Sequence, residues 1–569
     1  MKEFAELYRA LDAATATKRK LAAMESYFAA AIGDETRRAD AAWTAYFLSG
    51  GKPRQIAPAK ALRALVLAQT GLPEWLFDQC RQRTGDLAET LSLLLPPAQG
   101  EEELPLHRWM SERLLPLRGK SDDEKIAALS QWLSRLPDDE RFVLFKIITG
   151  SLRVGVSKSQ ATQALAQASG VDPQQMAMRM MGFAQSERAP QARDFERLTA
   201  QEPQEASAGA QPYPFYLAHS LQAPLNEIAQ QLGDPRDWQI EWKFDGIRAQ
   251  YVQRNGKAAL WSRGEELITE SWPEFAHLQR WLPDGTVIDG ELVVTDGADV
   301  SGDDLSGLQP FSVLQRRLGR KQITPKILRE WPAALIAYDL LESEGRDLRQ
   351  MPQHERRAAL ERLIGATRAR AHDFGDRALL RLSPLVQADD WAALDALRGR
   401  AREFFAEGFM LKSRNGIYGA GRRKAADGAS VWHKWKLDPY SVDAVLVYAQ
   451  RGHGRRSGVF SDYTFAVWDR PAGQKDRTLV PFAKAYSGLT DAEMREVDRI
   501  IRATTRETFG PVRQVAPAMV FELGFEGIGP SQRHKSGVAV RFPRMLRWRK
   551  DKPVEEADTI EVLQALIAS

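Results

Sequence analysis

Glu241, Lys243 and Asp245 alternate with Ile240, Trp242 and Phe244 in the run Ile240-Glu241-Trp242-Lys243-Phe244-Asp245-Gly246. On an extended strand successive side chains point to opposite faces, so three ionisable groups share one face and three bulky apolar groups the other. That is the pattern of a reactive site backed by a core, and equally of a solvated strand face. The reactive member would be the amine. A lysine with an ordinary pKa of about 10.4 is protonated at neutral pH and cannot act as a nucleophile. Nearby cations favour its neutral form and nearby carboxylates oppose it. Lys434, Lys436 and Arg248 are candidate cations, Glu241 and Asp245 oppose them, and the sequence leaves the balance open.

The same design recurs downstream. Asp289 and Glu291 share a face of Val287-Ile288-Asp289-Gly290-Glu291-Leu292-Val293, and Lys434 and Lys436 share one with Trp432. Glu407 opens another short strand, Glu407-Gly408-Phe409-Met410-Leu411-Lys412, and Ser262-Arg263-Gly264 follows a strand ending at Trp261. Taken alone, Tyr338 in an apolar strand reads as core, and the arginines of 541–549, alternating with Phe542, Met545 and Trp548, read as a basic solvated strand. Lys146 and Arg153 fit ordinary surface charges. Arg451, Arg455 and Arg456, around Gly452-His453-Gly454, fit a loop or a phosphate contact equally well.

Three segments must position these residues. The chain has 569 residues, enough for about three or four domains. From Met1 to about Gln185, apolar residues recur at helical spacing: Phe4, Leu7, Tyr8 and Leu11; Leu62, Leu65, Val66 and Leu67; Val143, Leu144, Ile147 and Ile148. Breaks such as Gly50-Gly51-Lys52-Pro53 separate the helices of an all-α domain. Residues 186–214, rich in Ala, Gln, Glu and Pro, have linker composition. Residues 215–437 mix short strands with helices. From 438 to 569, short strands at Val442–Tyr448, Tyr463–Trp468 and Ala518–Leu523, with one helix over about 491–509, suit a small OB-fold β-barrel. Cys80 is the only cysteine, so an intrachain disulfide and a cysteine-based zinc site are excluded. No run of about 18 apolar residues predicts a membrane span, and the amino terminus lacks signal-peptide character. The expectation is a cytoplasmic protein.

The order of these motifs resembles that of the covalent nucleotidyltransferases, and most closely of the ATP-dependent DNA ligases. The resemblance rests on Lys243-Phe244-Asp245-Gly246, Ser262-Arg263-Gly264, Asp289-Gly290-Glu291-Leu292, Ala337-Tyr338-Asp339-Leu340, Glu407-Gly408-Phe409-Met410-Leu411-Lys412, Trp432-His433-Lys434-Trp435-Lys436 and the terminal run Arg541-Phe542-Pro543-Arg544 to Lys552. The helical stretch Lys146-Ile147-Ile148-Thr149-Gly150-Ser151-Leu152-Arg153-Val154-Gly155-Val156-Ser157 also looks like part of a ligase DNA-binding domain. The resemblance implies a multidomain protein: an all-α domain gripping DNA, an α+β adenylation domain with antiparallel sheets, and the barrel. It implies that Lys243 attacks the α-phosphorus of ATP, that AMP passes to the 5′-phosphate of a nick, and that the 3′-hydroxyl then displaces AMP.

Site roles follow from the same resemblance. Lys243 is the nucleophile, with Asp245, Lys434 and Lys436 in the catalytic set and the two lysines on the α-phosphate. Glu241 accepts from the adenine amino group, and Tyr338 and Phe409 stack on the base. Arg248 and Arg263 engage phosphate and the nick termini. Glu291 contacts ribose or metal and Glu407 the metal, Mg²⁺ suiting such oxygen ligands. Arg544, Arg549, Asp551 and Lys552 orient pyrophosphate. The implied partner is nicked duplex DNA, encircled by a monomer that works in repair, with a hinge near Leu437-Asp438. An mRNA guanylyltransferase or RNA ligase would share Lys-x-Asp-Gly but lack the helical domain and the terminal motif. An NAD-dependent ligase would bring a four-cysteine zinc site. A catalytically dead nick-binding clamp would have lost Lys243 or its carboxylates.

Overall fold

The computed structural model describes the chain except for residues 54, 101, 186–187, 202–209, 298–306, 319, 321, 374–378, 423–430, 453–457, 487 and 569. Arg455 and Arg456 therefore lie outside the described residues, as does part of the expected linker. The chain divides into two compact units: Met1–Lys52, Pro105–Ser111 and Arg153–Leu437 form one, and Pro53–Leu104, Glu112–Leu152 and Asp438–Ser569 the other. Each unit contains part of the amino-terminal helical region. None of the described helices is long and apolar enough to cross a membrane.

In the first unit, helices Lys2–Ala13, Thr17–Gly33, Arg38–Leu48 and Lys158–Ser169 pack through their apolar stripes. Phe4, Leu7, Tyr8 and Leu11 are all buried, as their spacing predicts. The stretch with linker composition holds a surprise. Ala192–Thr199 is a helix whose Phe195 and Leu198 are buried, Phe195 stacking on Phe28 at 6.1 Å. Two apolar residues at i and i+3 are sufficient stripe for two turns, and overall composition averages that stripe away.

Two sheets follow in the same unit. One runs in the order β1 (His219–Ser220), β10 (Trp432–Lys436), β9 (Ala406–Ser413), β2 (Trp238–Phe244). The other runs β4 (Lys257–Ser262), β3 (Ile247–Arg254), β5 (Thr286–Val294), β6 (Ala333–Ser343), β7 (Arg346–Asp347), with β8 (Leu380–Leu382) parallel to β6. Apart from the parallel pairs β1–β10 and β6–β8, the described ladders here are antiparallel. The chain crosses from the first sheet to the second between Phe244 and Ile247, a step of only Asp245 and Gly246. A Cβ on Gly246 would lie 2.4 Å from the Leu292 carbonyl oxygen and 2.8 Å from Glu291 Cγ. Glycine is what lets the crossing sit directly on β5.

The second sheet is fastened to helix Gln353–Asp373 by a buried ion pair. Arg356 donates to both oxygens of Asp339, at 2.8 and 3.0 Å, and both side chains are fully buried. Arg356 also donates to Gln353 at 2.6 Å and to the Met351 carbonyl.

In the second unit, Ala59–Thr70, Glu74–Thr84, Leu87–Leu94, Asp122–Leu133 and Asp138–Ile148 are helical. Lys146 is no surface charge: it is buried and donates to Asp86, the N-cap of Leu87–Leu94, at 2.5 Å. From Asp438 onward a seven-stranded antiparallel sheet contains β11 (Tyr440–Arg451), β12 (Phe460–Trp468), β13 (Leu479–Ala485), β14 (Thr505–Phe509), β15 (Val512–Val515), β16 (Val520–Phe525) and the strand Arg544–Trp548. The helix expected over 491–509 ends at Thr504, and Thr505–Phe509 continues as a strand. Its β-branched Thr505 and Thr508 and the reversal at Gly510 favour a hairpin with β15 over another helical turn.

Replacing Arg356 by Met should cost about 3–5 kcal/mol, because Asp339 is left charged in the core. The double change Arg356→Met with Asp339→Leu should cost distinctly less. Guanidinium denaturation of the three proteins checks this; equal losses for the single and double variants would show that the pair is not coupled.

Candidate active site

The lysine of the sheet-to-sheet crossing has a defined partner. Lys243 Nζ donates to Glu407 Oε2 at 2.7 Å, and Lys436 Nζ reaches the same oxygen at 3.0 Å. Burial alone would push the Glu407 carboxyl up, but the Lys243 and Lys436 ammonium groups outweigh it and hold it at about 2. Glu407 reaches this side of its sheet through a bulge in the β2–β9 ladder. The register slips between Trp242 and Phe244, at Gly408, whose φ is +128° and whose Cβ would lie 2.2 Å from the Trp435 carbonyl oxygen.

Across the crossing, β5 supplies Glu291. Burial pushes its carboxyl up to about 7; Lys243 and Arg248 pull it down, while Glu407 and Asp245 push it further up. Glu291 forms no ion pair among the described residues, and two acidic neighbours make its negative charge costly. It is the carboxylate here whose chemistry best fits a divalent cation. Among the described residues no three His, Cys, Asp or Glu side chains group closely enough to hold a metal by themselves. One or two carboxylates plus substrate phosphate is the usual holding of Mg²⁺.

Positive charge gathers on the other side of Lys243. Lys434, on β10, has its pKa lowered by burial first, then by Lys436, Arg422, Lys243 and Arg263. Among the described residues it has no carboxylate partner. A half-buried ammonium surrounded by cations is ready to receive phosphate. Arg422 was not singled out in the sequence. It follows Gly421, which exchanges backbone hydrogen bonds with Phe215 and Leu217, and only that pairing brings it beside Lys434.

Tyr338 occupies a bulge in β6, between the Asp289–Asp339 and Gly290–Ala337 pairs, and its hydroxyl donates to Asp289 at 3.3 Å. Lys412 Nζ lies 4.4 Å from the Tyr338 ring centre and 4.7 Å from that of Trp432. Phe409 does not meet Tyr338. It is fully buried among Trp242, Trp435, Leu411 and Ile240 behind the first sheet, and Met410 packs on the Tyr338 side with Trp432 and Tyr216. The expected stacking role of Phe409 is thereby corrected: the bulge at Gly408 shifts the alternation by one, bringing Met410 forward.

Arg248 also differs from expectation. It donates to both oxygens of Asp289 at 3.1 and 2.7 Å, to the Tyr216 carbonyl at 2.5 Å and to the Tyr418 hydroxyl at 3.3 Å. Four of its five N–H groups are thus committed within the protein, which suits a strut better than a phosphate ligand. Arg263 is exposed, its backbone N–H on the Arg248 carbonyl at 2.9 Å. Glu241 is buried against Arg357, Lys412 and Gln239. In the other unit, Arg549 and Lys552 both donate to Asp443 at 2.8 Å, Arg549 also pairs with Asp551, and Arg544 pairs with Glu526 at 2.8 Å.

Comparison with known proteins agrees along most of the chain. Residues 216–436 match the model of the ATP-dependent DNA ligase domain, residues 1–166 that of the DNA ligase N terminus, and residues 456–552 that of the ATP-dependent DNA ligase C-terminal region. A probable DNA ligase of Koribacter versatilis is 32% identical over 88% of this chain and 84% of its own. A DNA ligase of Methanoculleus marisnigri is 30% identical over 79% and 76% respectively. A solved structure named Pmar-Lig_PreS3 shares the fold at a TM-score of 0.58 and 16% identity, covering 96% of this chain and 99% of that one. The chain belongs to the ATP-dependent DNA ligase family.

Proposed function

We infer that the enzyme seals 5′-phosphate/3′-hydroxyl nicks in duplex DNA through a lysyl-AMP intermediate on Lys243 and a DNA-adenylate. Use of ATP and binding of DNA are properties of the family. The observation that carries the finer reading is the convergence of Lys243, Glu291, Glu407, Lys434 and Lys436 where the chain passes between its two sheets.

Attack on the α-phosphorus needs the neutral amine of Lys243, so the ammonium must lose a proton to solvent and its ion pair with Glu407 must weaken to a hydrogen bond as the nucleotide arrives. The N–P bond forms as the bond to pyrophosphate breaks. Lys434, which has no carboxylate partner among the described residues, and Lys436 neutralise the α-phosphate oxygens. Tyr338 and Met410 flank the base, and Glu241 accepts from its 6-amino group. Glu291, with Glu407 beside it, would hold Mg²⁺, which when bound neutralises phosphate charge. Arg263 and Arg422 are placed for the DNA phosphates. Residues 1–185 serve as the DNA-binding domain, 186–214 as a connection that includes one helix, 215–437 as the adenylation domain and 438–569 as the OB-type domain. The enzyme works as a monomer around the duplex, in repair at the nucleoid. The other reading with a specific observation behind it is a nick-binding clamp, since DNA binding alone would use the same exposed cations. The convergence of Lys243 with Glu291 and Glu407 favours catalysis, since a clamp needs neither the nucleophile nor the carboxylates.

Lys243→Ala should abolish covalent labelling by ATP carrying ³²P in its α-phosphate; persistent label on the protein would remove Lys243 as the nucleophile. Sealing of a labelled nick should fall by about 10³-fold or more between about 50 and 200 mM salt if six or more phosphates are contacted, while lysyl-AMP formation changes far less. Parallel losses in both steps would count against a separate DNA grip. Glu291 gives a pH signature. Its folded pKa lies above that of an unfolded glutamate, so the native state binds the extra proton and stability falls as pH rises from about 4.5 to 7. Glu291→Gln should therefore raise the unfolding free energy at pH 8, by an amount on the order of 1–3 kcal/mol, and not at pH 4.5. Mg²⁺ at pH 8 should raise the melting temperature of the unaltered protein and leave that of Glu291→Gln unmoved; an equal rise in both would place the cation elsewhere.

A further inference from the structure

Glu241 is held from three sides. Its Oε1 accepts from Gln239 Nε2 and from Arg357 Nη1, each at 3.1 Å, and its Oε2 lies 2.5 Å from Lys412 Nζ. The Glu241 side chain is 2% exposed and that of Arg357 6%. Arg357 comes from helix Gln353–Asp373, outside every strand motif of the site, and is itself immobilised. Its Nε donates to Glu361 at 2.7 Å and its Nη1 to the Ser383 carbonyl at 2.7 Å. Lys412 also donates to the Tyr338 carbonyl at 3.1 Å.

A carboxylate offers about four acceptor positions, and here three are filled, leaving one for a donor arriving beside Tyr338. Two cations and two carboxylates, Arg357, Lys412, Glu241 and Glu361, make a neutral set, and every described side-chain contact of Glu241 is one in which its carboxylate faces a donor. An amino group at position 6 of a purine donates to such an oxygen. A carbonyl there presents lone pairs and is repelled.

We propose that Arg357 is a positioning residue that fixes the Glu241 carboxylate as the acceptor for the purine 6-amino group and thereby sets the preference for ATP over 6-oxopurine triphosphates. This rests on the reading that Glu241 meets the adenine. Without Arg357, Oε1 loses its charged donor and the carboxylate can turn about its contact with Lys412, so its open acceptor position is no longer held in one place.

The test is self-adenylylation kinetics of the full chain with ATP, inosine triphosphate and purine riboside triphosphate, which carries only hydrogen at position 6. The unaltered protein should favour ATP over purine riboside triphosphate by about tenfold or more, the worth of a hydrogen bond to a charged group. Arg357→Met should raise KM for ATP by about tenfold, keep the maximal rate within about threefold, leave KM for purine riboside triphosphate unchanged and narrow the discrimination against inosine triphosphate. Arg357→Lys, which keeps one charged donor, should recover part of the loss, and it carries the same comparison if Arg357→Met does not fold. Equal losses with ATP and purine riboside triphosphate would reduce Arg357 to a structural support and overturn the proposal. A protein that in its unaltered form treats those two nucleotides alike would remove Glu241 from the base, and the proposal would fall with that reading.

Discussion

The site depends on a crossing of two residues. Phe244 ends a strand of one sheet and Ile247 begins the next, with Lys243 and Arg248 one residue inside each, so Asp245 and Gly246 must carry the chain from sheet to sheet in the least possible length. That is feasible because the crossing lies against β5, where a Cβ on residue 246 would fall 2.4 Å from a carbonyl oxygen. Any side chain there would lift the turn, and with it Lys243, away from Glu291. The glycine of the Lys-x-Asp-Gly motif is a packing requirement, and the position of Lys243 beside Glu291 and Glu407 is built upon it.

Around this crossing, charge is divided between scaffold and site. Asp289 with Arg248, Asp339 with Arg356, and Glu241 with Arg357 and Lys412 are buried ion pairs. Such pairs recover little net stability against the cost of desolvation. Their return is orientation: each ties a strand to a neighbouring element at a fixed angle. Among the described residues the groups without such a match are Glu291, with its raised pKa, and Lys434, with no carboxylate partner. Glu407, shared by two lysines, lies between the two classes.

The motifs therefore mix two functions at adjacent positions. On β5, Asp289 anchors Arg248 and Tyr418 while Glu291, two residues on, faces the crossing. On β6, Tyr338 turns toward Asp289 while Asp339 turns to the helix behind. Bulges at Gly408 and at Tyr338 set which residue faces which way, and both interrupt the simple alternation of a strand.

Much of this protein was determined by sequence alone. The helical amino-terminal region, the mixed and then β-rich remainder, and the ordered set of lysines and carboxylates follow from local rules of periodicity and from motif order. The family followed from that order, because residue type and succession survive where individual contacts cannot be seen. Only the tertiary structure decided which face each residue takes beyond a bulge, exchanging Phe409 for Met410 beside Tyr338. Only it showed Arg248 spent on Asp289, Lys146 buried against Asp86, and Arg357 and Arg422 brought in from segments without motifs. Those outcomes depend on long-range pairing: a one-residue slip in register reverses a strand's faces, and an ion pair between residues 116 positions apart, as between Glu241 and Arg357, leaves no periodic trace in the chain.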